Sequence, residues 1–394
     1  MRVAILTDFL GGLGGTETLT VRIAIGLRSR GHDVRVFCPR SPANRTWIRL
    51  LRSSAVPVLL GAPERLFPDD RGARGRLAKE ALLDRWAAHM LAVAFGAWTP
   101  DLILANPMGP LLIAWIRSAS RPTIPVVGYE FSAADSRCAH WYPAELPAVI
   151  NQLNIVIAGC EASRQGIVNH HRFTGRTEIV PPLVPPATPQ PPPRAPWKLG
   201  CIARLCVEKG LDYLLASLPE LRQRHPQVSL HIYGEGYDQT RLEDLAQALA
   251  VDDIVTLAGR FNPSTGLNRV TAEHSIFIQP SLYESIPTAM LEVAARGRVV
   301  VASRVGGIPE FFAAGGQGAM VRPASPSDIA DAVSALLDNP TTLAGLGQRN
   351  AAVVTTRYGY QQGLDKLEHI FGSLAHRPDG PHSQEHERSR TPTG

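Results

Sequence analysis

The sequence has 394 residues, of which 44% are hydrophobic and 19% charged, with a net charge of +5. This length accommodates two domains, each with its own core. No apolar run approaches the roughly 18 residues of a membrane span, and the N-terminal run MRVAILTDFL is too brief for a signal peptide, so we expect a cytoplasmic protein. The five cysteines are scattered, which disfavours a disulfide framework or a zinc site.

The positive charge is confined to the first half of the chain. Residues 1–190 hold 21 Lys/Arg against 14 Asp/Glu, whereas residues 191–394 hold 19 against 21. A solvated basic face is the favoured interpretation. Peripheral contact with anionic lipid at the inner face of a membrane, or contact with an anionic substrate, is the alternative. No aromatic-basic platform is present, so we expect no nucleic-acid partner.

The first half alternates strand and helix signals. RVAILTDF, the glycine loop GGLGG, the helical stretch TETLTVRIAIGLRSRG and the strand HDVRVFCP form a βαβ unit. Further strands are predicted at DLILA (101–105), IPVVGY (124–129) and NIVIA (154–158). Residues 1–180 are therefore predicted to form a Rossmann-like domain with a doubly wound parallel sheet.

A proline-rich segment interrupts the chain. Nine of the sixteen residues from 181 to 196 are proline, so this segment is predicted to be an interdomain linker. Strand and helix signals then resume, which predicts a second Rossmann-like domain at 197–357 and a C-terminal helix at 358–375. The polar residues 376–394 lack apolar periodicity and are predicted to be disordered.

Two such domains leave a cleft between the carboxyl ends of their strands, where open α/β sheets bind ligands. On the first domain, Gly14 and Gly15 open a helix, but no third glycine completes a dinucleotide-binding GxGxxG. On the second, Arg204 ends a predicted strand and Lys209 begins the next helix. Two cations at a helix start suggest a polyanionic ligand; solvated residues near Glu208 are the alternative.

Two carboxylates follow the strand IFIQP, eight residues apart. Glu284 is expected in the loop before a helix and Glu292 on that helix, with Pro287 in its first turn. Both acids could line one wall of the cleft. An ordinary i, i+4 ion pair between Glu292 and Arg296 explains the second acid almost equally well.

Two glycine turns of the second half are further candidates for the ligand site. Gly234 and Gly236 follow the strand VSLHIYG, a weak signal because glycine is common at turns. Gly306 and Gly307 precede a short helix with Glu310 in its first turn, where paired glycines let a backbone N–H approach a ligand oxygen. An ordinary tight turn explains these glycines nearly as well.

Together, ARLCVEKGLDYLL, the GEG turn, PSLYES with its second glutamate eight residues on, and GGIPE resemble the retaining glycosyltransferases of the GT4 family (group 1), with the GT-B fold. GGTE and RGHDVRVF in the first half are also similar. The resemblance covers residues 1–374. It implies two Rossmann-like domains facing across a cleft, with the C-terminal helices packing back toward the first domain.

The resemblance also implies roles for individual residues. Arg204 and Lys209 would hold the diphosphate of a UDP- or GDP-sugar, Glu292 would bind its ribose, and Glu284 would contact the donor sugar. The remaining residues would line the nucleotide site: Gly14 and Gly15 from the first domain, and Gly234, Gly306, Gly307 and Glu310 from the second. No metal and no cofactor beyond the donor substrate would be needed, and the acceptor would be a glycan, a lipid-linked molecule or a small molecule.

The first domain departs from the family pattern. The histidine that the family places after the strand corresponding to IPVVGY is replaced by Tyr129, Glu130 or Phe131, and the nearest downstream histidine is His140. DLILA is followed by Asn106 rather than by a histidine. The sugar and acceptor half of the site is therefore divergent. A nucleotide-sugar 2-epimerase of the same fold and a non-catalytic nucleotide-sugar binding protein are the alternatives to a transferase.

Overall fold

A computed structural model of the chain describes residues 1–12, 14–42, 44–63, 86, 89–118, 124–130, 144–261 and 266–375. The predicted disordered tail at 376–394, Phe131 and His140 lie outside the described residues.

The first half forms a sheet of seven parallel strands in the order β3-β2-β1-β4-β5-β6-β7. Its strands are β1 (Arg2–Leu6), β2 (Asp33–Ser41), β3 (Val58–Pro63), β4 (Leu102–Ala105), β5 (Val126–Glu130), β6 (Ile155–Ala158) and β7 (Arg176–Ile179). The named helices are α1 (Gly15–Ser29), α2 (Thr46–Ser53), α3 (Pro110–Arg117), α4 (Leu146–Val149) and α5 (Glu161–His170), and residues 89–97 are also helical. Strands β4, β5 and β6 are buried along their whole length, which explains their continuous apolar runs.

The second half forms a sheet of six parallel strands in the order β10-β9-β8-β11-β12-β13. Its strands are β8 (Lys198–Ile202), β9 (Ser229–Tyr233), β10 (Val255–Gly259), β11 (Ile276–Gln279), β12 (Val299–Ser303) and β13 (Gly318–Val321). Its helices are α6 (Leu211–Arg224), α7 (Gln239–Ala248), α8 (Gly266–Glu273), α9 (Thr288–Ala295), α10 (Ile308–Ala313), α11 (Pro326–Leu337), α12 (Leu343–Arg357) and α13 (Tyr360–Ala375). Each sheet has an apolar core on both faces. The expected fold class of two Rossmann-like, doubly wound domains is confirmed.

Strand order reverses once in each sheet, between β1 and β4 in the first and between β8 and β11 in the second. The connections that leave the two strands beside such a reversal run to opposite faces of the sheet and leave a crevice, which is where open α/β sheets bind ligands. The loops that follow β1, β8 and β11 carry Gly14, Arg204 and Glu284, respectively. The topology therefore brings three of the predicted site segments to the two reversal points.

The last helix returns to the first domain. Leu364, Leu367 and Phe371 of α13 are buried in the same apolar cluster as the strands β1 and β2. The chain thus crosses between the domains twice, and the two crossings lie side by side, since the Val184 N–H donates to the Tyr358 carbonyl over 3.0 Å. The expected packing of the C-terminal helix against the first domain is confirmed.

Within the described parts of the chain, none of the helices combines the length and the apolar character that a membrane crossing requires.

Candidate nucleotide-sugar site

Lys209 and Glu284 meet at the carboxyl edge of the second sheet. Lys209 closes a short 3-10 turn and Glu284 lies in the loop after β11, and their side chains form an ion pair. The side chains are 16% and 12% exposed, and the Ser281 hydroxyl donates to the same Glu284 oxygen over 3.1 Å. The structure therefore brings together a cation and an acid that the sequence places 75 residues apart.

The strand and helix bounds around the two cations differ slightly from the sequence expectation. Strand β8 ends at Ile202, so Arg204 lies two residues beyond it, and α6 begins at Leu211 rather than at Lys209. Gly210 separates the turn from the helix with a φ of +62°, and a Cβ there would lie 2.2 Å from the Pro280 carbonyl oxygen. Only glycine fits this close approach, which holds the Lys209 turn against the loop after β11.

Arg204 is the exposed member of the cationic pair. Its side chain is 62% exposed, and its guanidinium lies 3.7 Å from the Glu208 carboxylate. A contact of this length at an exposed site contributes little to stability. The cation is therefore accessible to a ligand at the cleft.

Gly234 and Gly236 set the position of the Arg204 loop. A Cβ on Gly234, whose φ is +154°, would lie 1.8 Å from the Ala203 carbonyl oxygen, and one on Gly236 would lie 2.0 Å from that of Leu205. The Leu205 N–H donates to the Glu235 carbonyl over 3.0 Å. These glycines therefore serve a backbone-to-backbone approach, and the predicted ligand contact of Gly234 stays a prediction.

Gly306 and Gly307 support the Glu284 loop in a similar way. Gly306 has a φ of +52°, and a Cβ there would lie 1.9 Å from the Glu284 carbonyl oxygen. The Gly307 N–H donates to the carbonyl of Ser285. That N–H, expected from the sequence to approach a ligand, is thus engaged within the protein, because the loop after β11 packs directly on the glycine turn.

Glu310 reaches across to the first domain. Its carboxylate accepts from the backbone N–H groups of Glu161 and Ala162, over 2.9 and 3.3 Å, at the start of α5. The first backbone N–H groups of a helix have no partner within the helix, so this side chain caps α5 from the opposite domain. Nearby, the Ser163 hydroxyl donates to that of Ser285 over 2.8 Å. These contacts join the domains beside Glu284. The sequence did not indicate this function, because the partners are 122 to 149 residues apart.

Glu292 does not form the side-chain ion pair with Arg296 that the sequence left open. Its carboxylate accepts from Arg22 on α1 of the first domain, while the Arg296 guanidinium donates to the main-chain carbonyl of Glu292 over 2.9 Å. Helix α9 begins at Thr288, one residue after Pro287, and Glu292 lies on its fifth position. Nothing in the local sequence pointed to Arg22, since it precedes Glu292 by 270 residues.

On the first domain, Gly14 is the N-cap of α1 and Gly15 is its first residue. Glu17 lies in the first turn, and its carboxylate folds over the glycine loop, so that a Cβ on Gly12 would lie 2.3 Å from Oε1. Burial raises the pKa of Glu17, while backbone N–H donors and the positive charge of Arg204 oppose that rise. The charge of Arg204, on the second domain, thus acts on a carboxylate of the first.

Of the positions that depart from the family pattern, Tyr129, Glu130 and Asn106 lie among the described residues and are buried. The Tyr129 hydroxyl donates to the Val180 carbonyl, and Glu130 is 2% exposed at the end of β5. Asn106, at the end of β4, donates from Nδ2 to the Thr20 hydroxyl over 2.9 Å. Asn106 thus fixes the loop after β4 to helix α1 of its own domain.

A cluster with metal-ligand chemistry lies elsewhere. His231, Glu273 and His274 place ligand atoms within 4.8 Å of one another, but His274 precedes β11 whereas Glu284 follows it. Both His274 ring nitrogens are engaged, with the Tyr233 hydroxyl at 2.9 Å and the Lys198 carbonyl at 3.3 Å. Burial lowers the pKa of His274 to about 4. The cluster is therefore a packed polar group at the end of β11 away from the cleft.

Comparison with known proteins identifies the family of this chain. The family model described as Glycosyltransferase Family 4 matches residues 13–188, and the one described as Glycosyl transferases group 1 matches residues 196–339. The chain belongs to the GT4-type glycosyltransferases. The first model ends within the proline-rich segment and the second begins at its last residue, so the first matches strands β2 to β7 and the second matches strands β8 to β13.

Relatives and solved structures fit the same family. The chain is 28% identical to alpha-D-kanosaminyltransferase of Streptomyces kanamyceticus over 173 residues. These residues make up 44% of this chain and 45% of that protein. It is 32% identical over 138 residues to the gpi3 subunit of phosphatidylinositol N-acetylglucosaminyltransferase of Schizosaccharomyces pombe, 34% of this chain and 29% of that protein. These matches therefore span less than half of either relative.

A structural match extends over nearly the whole chain. HepE from Anabaena, solved with UDP and glucose, matches with a TM-score of 0.74 at 19% identity, covering 95% of this chain and all of that one. The two-domain GT-B fold is thus shared with this GT4-type chain.

Proposed function

We propose that this GT4-type protein transfers a sugar from a UDP- or GDP-sugar to a glycan, a lipid-linked molecule or a small-molecule acceptor. The observation that carries the proposal is the Lys209–Glu284 ion pair at the reversal point of the second sheet, with the exposed Arg204 in the neighbouring loop after β8. The HepE structure with UDP and glucose supports a donor of this class.

The charges suit the departure of a nucleoside diphosphate. As the bond between the anomeric carbon and the phosphate oxygen breaks, negative charge accumulates on the diphosphate, and fixed cations stabilise it. Lys209 is held in place by Glu284, and exposed Arg204 is accessible from the cleft. Since two protein cations are available, we propose that the reaction requires no metal ion.

Glu284 and Glu292 have separate roles in this proposal. Glu284 contacts the donor sugar beside Lys209, and Glu292 accepts hydrogen bonds from the ribose hydroxyls. The acceptor hydroxyl attacks the face from which the diphosphate departs, so the anomeric configuration is retained without an enzymatic nucleophile. Binding and orientation then supply most of the rate enhancement.

The test is product analysis with a panel of UDP- and GDP-sugars and acceptors, in the presence of EDTA. We expect free nucleoside diphosphate and a glycosylated product whose anomeric configuration by NMR equals that of the donor. An isomerised nucleotide sugar would instead identify an epimerase. Nucleotide-induced thermal stabilisation without any product would identify a binding protein, and either result would overturn the proposal.

A further inference from the structure

Arg22 of the first domain forms an ion pair with Glu292 of the second. The Arg22 Nη2 donates to Glu292 Oε1, and the two side chains are 17% and 16% exposed. A pair this far removed from water holds its geometry better than an exposed one, because desolvated charges attract more strongly. The acid proposed to bind ribose is therefore fixed by a cation from the opposite domain.

Arg22 also contacts both crossings of the chain between the domains. Its Nη1 donates to the Leu183 carbonyl over 3.3 Å, in the first crossing, and its own carbonyl accepts from the Tyr360 hydroxyl over 2.8 Å, in the second. Any change in the angle between the domains passes through these two crossings. Arg22 therefore links Glu292 directly to these two crossings, which together are called the hinge.

The neighbouring cation does not share the carboxylate. Arg296 donates to the main-chain carbonyl of Glu292 and, over 2.7 Å, to the side-chain oxygen of Asn268. Among the hydrogen bonds of the described residues, the Glu292 carboxylate uses Oε1 alone, toward Arg22. The second oxygen, Oε2, is thus left for a ligand hydroxyl.

We propose that Arg22 is a positioning residue for nucleotide binding, which orients the Glu292 carboxylate toward the ribose from the opposite domain and so couples binding to the hinge. The inference rests on the proposed function, because it requires Glu292 to bind ribose. An oriented carboxylate loses little side-chain freedom when the ligand arrives, and such preorganisation increases affinity.

Calorimetric titration of UDP and GDP, and of their 2′,3′-dideoxy forms, tests this proposal. We expect Arg22→Gln to weaken binding of the preferred nucleotide about tenfold, in the range measured for coupled neighbours. The same substitution should reduce the affinity for the dideoxy form only slightly, because this form lacks the hydroxyls that Glu292 binds. The double variant with Arg22→Gln and Glu292→Gln should bind the preferred nucleotide no more weakly than the Glu292→Gln variant does.

Arg28→Gln is the matched control, since Arg28 lies on the same helix and pairs with Asp33 at 3.7 Å. We expect it to bind both nucleotide forms like the unchanged chain. Arg22→Lys retains the charge and should restore part of the affinity, and it replaces Arg22→Gln in the comparison if the latter does not fold.

The outcomes separate the two proposals. Equal weakening of the ribo and dideoxy forms by Arg22→Gln would show a general structural role and contradict the positioning role. Unaltered binding by both Arg22 variants would contradict this inference while leaving the proposed function intact. Failure of the unchanged chain to bind UDP or GDP would instead overturn the proposed function, and the inference with it.

Discussion

At the scale of single residues, Lys209 has two proposed partners, the Glu284 carboxylate and the diphosphate of the donor. Its ion pair with Glu284 is largely enclosed, so removing the ammonium leaves a carboxylate that is only 12% exposed without its cation. In the proposed transfer, the same ammonium faces the negative charge that develops on the departing diphosphate. Its contribution should therefore appear in turnover more than in substrate affinity.

Lys209→Ala is expected to lower kcat by about a hundredfold, the typical cost of removing one group that stabilises a transition-state charge. KM for the donor should change less. Steady-state kinetics with Lys366→Ala as control measure this, because Lys366 is exposed on α13. Full turnover by Lys209→Ala would contradict the charge-stabilisation mechanism.

Glu310 is expected to stabilise the contact between the domains. Glu310→Ala leaves two N–H groups of α5 without an acceptor and should lower the free energy of unfolding by about 1 kcal/mol. Glu310→Gln keeps a carbonyl oxygen as acceptor and should lower the free energy of unfolding by less. Urea unfolding checks this against Glu243→Ala on the exposed face of α7. Equal stability of the Glu310→Ala and Glu243→Ala proteins would show that the cap contributes nothing in solution.

At the scale of elements, glycine turns determine where the charged loops lie. Gly234 lies against the loop that carries Arg204, and Gly306 against the loop that carries Glu284. In both cases a Cβ would collide with backbone rather than with a flexible side chain, so the loop itself would have to move. The turns are therefore structural supports of the candidate site.

Gly306→Ala is expected to lower turnover by about a hundredfold, because a displacement of about 1 Å in a site can cost that much. Gly31→Ala is the control, since Gly31 also has a positive φ, +89°, but a Cβ there meets nothing within 4 Å. It should destabilise the protein by about 1–3 kcal/mol through backbone strain and leave turnover unchanged. Equal kcat for the two variants would show that crowding against the Glu284 loop is unimportant.

The elements were largely predictable because their signals are local. The runs DLILA and NIVIA, bounded by polar and glycine residues, indicated β4 and β6, which are buried throughout. The glutamates after β11 likewise appeared in one short motif. The Arg22–Glu292 pair and the Glu310 cap could not be predicted, since they depend on how two separately folded sheets meet.

At the scale of the whole molecule, both ends of the described chain contribute to one core. Phe371 of α13 is fully buried in the cluster that also contains Val3 and Ile5 of β1. The first domain is therefore incomplete without the C-terminal helix. The side-by-side crossings at Val184 and Tyr358 place the hinge next to Arg22.

Phe371→Ala should lower the free energy of unfolding by about 3–5 kcal/mol, the usual cost of removing a buried phenyl ring. Lys366→Ala, on the exposed face of the same helix, should change it by less than about 0.5 kcal/mol. Urea unfolding followed by circular dichroism compares the two. If both variants were equally stable, α13 would not be part of the first core in solution.

The central claim is that the carboxyl edge of the second sheet binds the diphosphate of a nucleotide sugar. The most direct measurement compares, by calorimetry, the affinities of nucleoside diphosphate and of nucleoside for the unchanged chain, Arg204→Ala and Arg322→Ala. Arg322 is a suitable control because its side chain is 76% exposed and pairs with Asp328. We predict that Arg204→Ala weakens the binding of nucleoside diphosphate about tenfold and leaves the binding of nucleoside unchanged. Arg322→Ala should alter neither affinity. Diphosphate affinity that is unaffected by Arg204→Ala would contradict the account.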